Sequence, residues 1–382
     1  MSESSGISLI EHLKKVLDPR VERGRRHKLM DLLVIALCAT LGGADDWVEI
    51  VQFGQAKKDW FATFLELPNG IASHDTFGRV FQMLDSRMLE QVCMQWLQSI
   101  AGQIEGVVAI DGKSLRGSRN GKQSPLHIVS AWACQNSMLL GQVQTDKKSN
   151  EITAIPELLK LLSLKGCIVT IDAMGCQKAI TEAIIEAQAD YVLNLKSNHP
   201  YLHRQVASWF QKNRDTGFDQ QTYSYSLEHA QTNNHGRIES REHWLMEVPE
   251  YLRRATKSWT KLQTIAMVRR TRQIGDKTSE ETHYYISSLP LSAGAKSIAK
   301  AIRSHWAVEN SLHWSRDVAF SEDASQTRKG EGPANLACIR RLALTQLKRE
   351  KSLKVGLKNK RSRAGWDPAY METVLRNGVL SI

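Results

Sequence analysis

The sequence predicts an α/β protein in which a mixed sheet, flanked by helices and carrying a β-rich insertion, follows an all-α N-terminal domain. Two observations predict this fold class. The first hundred residues repeat apolar side chains at helical spacing without strand-like alternation, and from residue 104 onward β-branched runs alternate with helical ones. A chain of 382 residues is long enough for two or three domains. We place a helical domain at 1–103, a mixed-sheet domain at 104–345 with the insertion at about 215–292, and a basic tail at 346–382.

The helical domain is predicted from stretches with apolar residues three and four positions apart, at 7–17, 28–41, 46–65, 73–84 and 86–100. Ser73 is a suitable N-cap, and Asp75 in the first turn complements the helix dipole. This helix follows a Pro-Asn-Gly turn and could be the second helix of a helix-turn-helix, although any antiparallel helix pair gives a similar pattern. The apolar run at 29–43 is shorter than the ~20 residues that span a bilayer.

The mixed sheet is predicted from the order of its elements. A strand meander is expected at 107–111, 126–134 and 138–145. It is followed by a helix at 152–164, a strand at 167–172, a helix at 177–188, a strand at 190–196 and a helix at 199–213. A meander combined with strands joined through helices implies a mixed sheet with helices on both faces. Strand-like runs return between 220 and 290, and a further helix is expected at about 297–315.

The net charge of +11 is concentrated in three segments, which carry +5 at 14–28, +7 at 251–275 and +7 at 346–363, so the rest of the chain carries −8. Basic segments on an acidic body indicate a polyanionic partner, because Lys and Arg that neutralise phosphates release condensed counterions. A single such run is equally well explained as a solvated face. Three together favour nucleic acid, and an anionic membrane is disfavoured because no run is joined to a convincing apolar anchor.

The six cysteines lie at least nine residues apart. Zinc knuckles and redox pairs need closer spacing, so we expect reduced thiols packed in the core. The first fifteen residues lack a basic segment followed by an apolar run, which predicts no secretory signal and a cytoplasmic, nucleoid-associated protein.

Two aspartates stand at the ends of predicted strands. Asp111 follows the run at 107–110, and Asp172 follows the run at 167–171. Ligand sites in open sheets lie beyond the carboxyl ends of parallel strands, and small residues follow both aspartates, so a phosphate or a metal ion could approach the backbone closely. Asp is also a common turn starter and helix cap, and for Asp172 that interpretation has about equal weight.

A third acidic residue, Glu309, lies on the predicted helix at 297–315. At about 3.6 residues per turn, His305, Glu309, His313 and Arg316 share roughly a quarter of the helix circumference. The two histidines could form an imidazole metal site, but we favour hydrogen bonding or phosphate contact for them. Three carboxylates brought together select hard ions such as Mg²⁺ or Mn²⁺, and two such ions support in-line phosphoryl displacement. The pattern therefore predicts nuclease or polynucleotidyl-transfer chemistry.

Distinctive motifs run through nearly the whole chain. They are AIDGKSLRGS at 109–118, TIDAMGCQ at 170–177, ADYVLNLKSNHP at 189–200, HYYISSL at 283–289, IRSHWAVENSLHWSRDVAFSEDASQTRKG at 302–330 and AGWDPAY at 364–370, together with segment 24–47. In combination they resemble bacterial insertion-sequence transposases of the DDE type, and among these the H-repeat-associated protein group linked to Rhs elements.

The resemblance implies an RNase H-like catalytic domain in which Asp111, Asp172 and Glu309 hold two Mg²⁺ or Mn²⁺ ions, preceded by a helical DDE-associated domain. It implies a DNA transposase that binds terminal inverted repeats, hydrolyses the phosphodiester at each end and joins the 3′-hydroxyl to target DNA. The implied partner is double-stranded DNA, bound by a homodimer when two ends are paired, with no membrane. The alternatives are an immobile, catalytically silent DNA-binding protein derived from a transposase, and a nuclease with the same triad.

The chain departs from the family pattern around the glutamate. Related transposases carry Tyr seven and Arg four residues before it and Lys seven after it, where this chain has Ile302, His305 and Arg316. Because Ile302 has no hydroxyl, Glu322 and Asp323 remain alternatives to Glu309.

The predicted DNA contacts lie in three places. They are Lys113 and Arg116 after the first aspartate, His305, His313 and Arg316 on the helix, and Arg253, Arg254, Arg269 and Arg270 in the insertion. For Lys113 and Arg116 a pair of solvated turn residues is an equally good interpretation. Lys196 and Asn198 are weaker candidates.

Overall fold

The helical and mixed α/β character predicted from the sequence is confirmed by a computed structural model, which describes residues 8–379 except 122–123, 146–150, 219–221, 233–236 and 377. The N-terminal part is helical. Its helices are α1 (Leu9–Leu13), α2 (Leu29–Leu41), α3 (Trp47–Ala56), α4 (Lys58–Phe61), α5 (His74–Met83) and α6 (Ser86–Ala101). Helix α2 is buried along almost its whole length, and Ser73 caps α5 by accepting a hydrogen bond from the Thr76 amide, as the sequence predicts.

The predicted meander and the alternating elements after it are present. Strands β1 (Val107–Leu115), β2 (Leu126–Ala133) and β3 (Met138–Gln144) are followed by α7 (Glu151–Lys160), β4 (Ile168–Ile171), α8 (Lys178–Glu186), β5 (Asp190–Leu195) and α9 (Pro200–Asp215). The hairpins β1–β2 and β2–β3 are antiparallel, whereas β1, β4 and β5 run parallel. Parallel neighbours need a crossover, which α8 supplies between β4 and β5.

The strands of the predicted insertion belong to the same sheet. They are β6 (Tyr223–Thr232), β7 (Arg237–Glu247), β8 (Thr264–Ile274) and β9 (Lys277–Ser287), with α10 (Glu250–Thr256) between β7 and β8. Strand β9 pairs with β5, giving a nine-stranded sheet of order β3-β2-β1-β4-β5-β9-β8-β7-β6. These four strands thus extend the sheet from its β5 edge.

The helix predicted at 297–315 is longer and irregular. Helix α11 (Ala295–Val308) passes into a π-helical segment, Glu309–His313, and then into α12 (Trp314–Phe320). The amide of Trp314 donates to the carbonyl of Glu309, which is the i→i+5 bond of a π-helix. A π turn contains more residues than an α turn, so the residues beyond it are rotated out of the α-helical register that the sequence analysis assumed.

The described residues of the basic C-terminal tail predicted at 346–382 are folded. Helices α13 (Gly332–Arg349), α14 (Leu357–Trp366) and α15 (Pro368–Arg376) pack on the N-terminal helices. The Arg361 side chain is 5% exposed, and its guanidinium donates to the carbonyl of Thr40 in the last turn of α2 (2.8 Å) and to that of Ala44 just after this helix (2.6 Å). Charge in this segment therefore partly satisfies helix ends instead of facing solvent.

One sheet face packs into the main hydrophobic core, which is continuous with the helical part. The other face is covered by α11, through Ala295, Ile298, Ala301 and Ile302. All six cysteines are unpaired thiols, five of them buried, in agreement with the sequence prediction. Across the described ranges, no helix is both long and apolar enough to cross a membrane.

Candidate active site

Asp111 and Asp172 occupy neighbouring positions at the end of a parallel strand pair. Strands β1 and β4 pair in parallel, with Ile110 opposite Ile171, so the two aspartates are the next residue on each strand. The sequence predicts that the first strand ends at Asp111. Strand β1 in fact continues to Leu115, with Asp111 opposite Ser130 of β2. Asp111 therefore lies where β4 stops and β1 extends beyond it.

Strand alternation directs the polar side chains toward α11. Because side chains alternate between the two faces, Val169 and Ile171 enter the main core, whereas Thr170 and Asp172 point to the opposite face. On β5, Val192 and Asn194 share that face for the same reason. The buried side of α11 then brings its later residues over the ends of these strands.

Asp111, Asp172 and Glu309 line one cavity of about 250 Å³. Glu309 enters from the first residue of the π segment, and Ile302 and Trp306 close the cavity on the helix side. The remaining lining residues are Thr170, Ile171, Val192, Asn194, Lys196, Tyr285 and His305. The structure thus brings together the three carboxylates that the sequence analysis singled out on three separate elements.

Asp111 is held by two donors. Its Oδ1 accepts from the Gly112 amide at 2.9 Å, and its Oδ2 lies 2.9 Å from Nε2 of His313. Burial raises the pKa of this carboxyl. The hydrogen bond from His313 and the nearby imidazoles of His313 and His305 outweigh burial, so the pKa of Asp111 lies below its usual value. The carboxylate form is therefore favoured in this pocket.

His305 is positioned on the strand side of the cavity. Its Nδ1 lies 3.2 Å from Oγ1 of Thr170. Burial lowers the pKa of His305, and the attraction of Asp111 and Asp172 only partly opposes that effect, so the imidazole is neutral at pH 7. The hydrogen bonds of His305 and His313 thus go to Thr170 and Asp111, and phosphate contact by either residue stays a prediction.

The chemistry of the cavity fits a hard divalent cation, because Asp111, Asp172 and Glu309 offer it carboxylate oxygens. The side chains are not gathered around a single point. Within the described residues, no three His, Cys, Asp or Glu side chains form a group that could hold a metal ion in this conformation. Asp172 also caps the turn after β4, since its Oδ1 accepts from the Met174 amide at 3.0 Å.

Arg316, a predicted DNA contact, is enclosed by the protein in this conformation. Its side chain is fully buried, and its Nε and Nη2 atoms donate to Oε1 of Glu322 at 3.1 and 2.6 Å. The π segment rotates Arg316 away from the stripe that holds Glu309. Glu322 is therefore occupied by an internal ion pair, and neither Glu322 nor Asp323 lines the cavity.

Lys113, another predicted DNA contact, is largely buried among acidic residues. Its side chain is 10% exposed, and its ammonium contacts Asp317 and lies 3.6 Å from Glu322 and 3.8 Å from Asp323. A cation surrounded by three carboxylates is held in place by them. Arg116, by contrast, is 84% exposed and remains available to a partner.

The four arginines between residues 251 and 275 that were predicted to contact DNA have different surroundings. Arg253 and Arg254 are exposed on α10, where Arg253 pairs with Glu250 at 3.0 Å. Arg269 and Arg270 are each 27% exposed and pair across strands with Glu242 and Glu239. DNA contact by these residues stays a prediction.

Several residues that line the cavity were not predicted from the sequence as site residues. Thr170, Asn194 and Trp306 line it, and Lys196, a weak candidate in the sequence, lies at its edge. A polar Asn two residues after a buried Val on a strand was an available signal for Asn194. Asn198 has a structural role instead, donating to the Ala173 carbonyl at 2.8 Å.

Comparisons with known proteins agree with the sequence resemblance. The family model described as "Transposase DDE domain" matches residues 102–346, and the one described as "DDE_Tnp_1-associated" matches residues 10–97. "Putative transposase YncI" of Escherichia coli is 38% identical over 96% of this chain and 94% of its own length. "H repeat-associated putative transposase YhhI" of Escherichia coli is 36% identical over 98% of this chain and 99% of its own length.

Among solved structures, a piggyBac transposase synaptic complex with hairpin DNA, determined by cryo-EM, is similar with a TM-score of 0.45 and 12% identity, covering 96% of this chain and 76% of that one. That similarity is too distant to add to the sequence matches. The family model and the full-length relatives show that the chain belongs to the DDE transposase family.

Proposed function

We propose that this protein is an insertion-sequence transposase that binds the terminal inverted repeats of its element, hydrolyses the phosphodiester at each end and transfers the 3′-hydroxyl to target DNA. The observation that supports this most is the convergence of Asp111, Asp172 and Glu309 on one cavity. Family membership alone does not require intact catalytic side chains, whereas three carboxylates that line one cavity match the needs of phosphoryl transfer.

The fold supports the same proposal. We assign an RNase H-like topology to the β3-β2-β1-β4-β5 part of the sheet, with an antiparallel meander followed by two parallel strands. In this assignment residues 1–103 form the DDE-associated domain and 104–345 the catalytic domain. Strands β6–β9 are its insertion. The two aspartates come from the two parallel strands at the centre, where ligand sites of such sheets lie.

Asp111, Asp172 and Glu309 would hold the divalent cations, Mg²⁺ or Mn²⁺. When bound, these ions would stabilise charge on the attacking and leaving oxygens. We choose Glu309 over Glu322 because Glu322 is buried in its pair with Arg316. Asp111 is kept ionised by its donors, as a ligand for a cation must be.

The reaction would take place in two displacements at phosphorus. In the first, a water oxygen bonds to phosphorus while the bond to the 3′-oxygen of the element strand breaks, and that oxygen leaves as a 3′-hydroxyl. In the second, the oxygen of this hydroxyl bonds to a target phosphorus while the bond to the target 3′-oxygen breaks, and the hydroxyl proton passes to that leaving oxygen, which becomes a 3′-hydroxyl. Lys196, which lines the cavity, would neutralise phosphate charge. A neutral His305 would add no positive charge that competes with the metal ions for the carboxylates.

The partner in this proposal is double-stranded DNA, both as element ends and as target. Pairing of two ends calls for two copies of the chain, and we propose a homodimer on paired ends.

The test is incubation of purified protein with a labelled element end, a target plasmid and Mg²⁺. We expect cleaved ends and joined products with the native chain, and neither with Asp111→Asn, Asp172→Asn or Glu309→Gln. Cleaved ends that never join the target would identify a nuclease. Binding of the end without cleavage by the native chain would identify a catalytically silent DNA-binding protein.

A further inference from the structure

The loop that follows strand β1 contacts the loop that follows helix α12. Strand β1 ends at Leu115 and is followed by the turn Arg116–Ser118. The helix that contains Glu309 ends at Phe320 and is followed by the turn Glu322–Ala324 and by segment 325–331. Both loops therefore follow elements that contribute a carboxylate to the cavity, Asp111 in one case and Glu309 in the other.

The two loops are packed backbone against backbone. A Cβ atom on Gly117 would lie 2.0 Å from the carbonyl oxygen of Ser325, so only glycine fits at this crossing. Nε of Arg328 donates to the Gly117 carbonyl at 3.2 Å. At the far end of the second loop, the Glu331 amide donates to the Gln82 carbonyl on α5 at 3.0 Å. The loops are thus joined to each other and to the helical domain.

Four exposed cations project from these joined loops. We call them the basic ridge, defined as Arg116, Arg119, Arg328 and Lys329. Two carboxylates lie beside them: Asp323, 3.8 Å from Arg116, and Glu331, which accepts from the Ser86 hydroxyl. Positive charge exceeds negative charge on this surface. Of the four, only Arg116 was predicted to contact DNA.

We propose that the basic ridge binds the DNA backbone a few base pairs from the phosphodiester that occupies the cavity. This inference rests on the proposed function. The four residue steps from Asp111 to Leu115 span roughly 13 Å at about 3.3 Å per residue, which matches about four base pairs at 3.4 Å each. A duplex whose reacting phosphate lies at Asp111 and which follows β1 would reach the ridge.

The chemistry of the ridge suits phosphates better than base edges. Its cations lie on turns and a loop, not on a helix or ribbon that could enter a groove, and they lack a precise array of acceptors and donors for base reading. The ridge therefore contributes affinity and register on the duplex, with little dependence on sequence. Its contribution is predicted to fall as salt concentration rises.

The test compares two variants with the same change in charge. Arg116→Gln/Arg119→Gln/Lys329→Gln removes three ridge cations and keeps Arg328, whose side chain joins the loops. Lys351→Gln/Lys354→Gln/Lys358→Gln removes three exposed lysines from the C-terminal region. Circular dichroism and the thermal midpoint establish that both variants fold. Binding of a labelled 30-base-pair random-sequence duplex is then measured by fluorescence anisotropy across a salt series.

We expect the slope of log affinity against log salt to become shallower by about two to three in the ridge variant, at about 0.9 per lost phosphate contact, and to change by less than one in the control. An unchanged slope in the ridge variant, or an equal change in both variants, would overturn the ridge assignment. In either case the native chain would still bind and cleave DNA, so the proposed function would stand. Failure of the native chain to bind this duplex would overturn the ridge assignment alone, and failure to bind the element end as well would overturn the proposed function.

Discussion

The imidazole of His313 is hydrogen-bonded to the carboxylate of Asp111, with Nε2 of the histidine 2.9 Å from Oδ2 of the aspartate. The two residues are 202 positions apart in the chain, and the π segment before Trp314 sets the direction of the histidine. Although Nδ1 of His313 is buried, it has no hydrogen-bond partner among the residues that the structure describes. The contact between His313 and Asp111 therefore fixes the orientation of a proposed metal ligand.

The first prediction concerns His313→Ala. Groups that orient a metal ligand typically affect metal affinity by 10–100-fold, so we expect Mn²⁺ affinity to fall by about that factor. Isothermal titration calorimetry with Mn²⁺ measures it directly, and end cleavage is measured in parallel. His74→Ala, at an exposed site in the helical domain, is the control. An unchanged Mn²⁺ affinity in His313→Ala would remove His313 from the metal site.

The positions of the aspartates could be predicted from the sequence, but the surroundings of the helix could not. Asp111 and Asp172 follow β-branched runs, and strand pairing puts such residues side by side. The π segment has no recognised signature in residue spacing, and it rotates Arg316 into the interior. The sequence also could not show that Lys113 would meet three acidic residues more than 200 positions away.

The second prediction separates Glu309 from Glu322. Glu322→Gln leaves the fully buried Arg316 without its ionised partner, and breaking a buried pair costs about 3–5 kcal/mol. We expect the free energy of unfolding in urea to fall by roughly 2–4 kcal/mol, because the amide oxygen keeps part of the hydrogen bonding. Glu309→Gln should abolish cleavage with little change in stability. A Glu309→Gln variant that cleaves DNA, with a stable but inactive Glu322→Gln variant, would reverse the assignment.

The third prediction concerns pH and Glu350. Burial raises the pKa of this carboxyl, but hydrogen bonds from Ser352 and Tyr370 and contact with Lys360 outweigh it, so the folded-state pKa is about 2. The folded pKa is below the unfolded value of about 4.3. Glu350 therefore stabilises the fold fully above that unfolded value, and the contribution is lost as the pH falls toward 2.

We accordingly expect Glu350→Gln to lower the free energy of unfolding by about 1–2 kcal/mol at pH 7 and by progressively less between pH 4.5 and pH 2. Urea unfolding at several pH values measures the difference between the two proteins. Glu182→Gln, at an exposed position on α8, should show no such pH-dependent difference. A deficit that stays constant from pH 7 to pH 3 would mean that the charge of Glu350 is not what stabilises the fold.

The fourth prediction concerns the loop crossing at Gly117. A Cβ here would meet backbone atoms, which cannot move aside as a flexible side chain can, so Gly117→Ala must separate the two loops. We expect the thermal midpoint to fall by several degrees, corresponding to roughly 1–3 kcal/mol of overpacking. Gly24→Ala, with its nearest neighbour at 3.9 Å, is the control. Equal thermal midpoints for the native chain and Gly117→Ala would show that the loops are not closely packed.

The last prediction concerns the C-terminal basic segment, where counting charges from the sequence was misleading. A run of Lys and Arg looks the same whether it faces solvent or satisfies buried carbonyls. Arg361 does the latter, donating to Thr40 and Ala44, contacting the Ala319 carbonyl and stacking on Phe320 at 4.5 Å. Removing residues 346–363 would therefore damage the fold and could not isolate their effect on DNA binding.

Arg361→Leu should destabilise the protein by about 3–5 kcal/mol, because it leaves buried acceptors and the Asp45 carboxylate without their donor. Lys358→Leu, at an exposed position on the same helix, removes the same charge and should change the free energy of unfolding by less than about 0.5 kcal/mol. Urea unfolding measures both. If the two variants were equally stable, the segment would bind the helical domain too weakly to matter, and its charge would again be available for DNA.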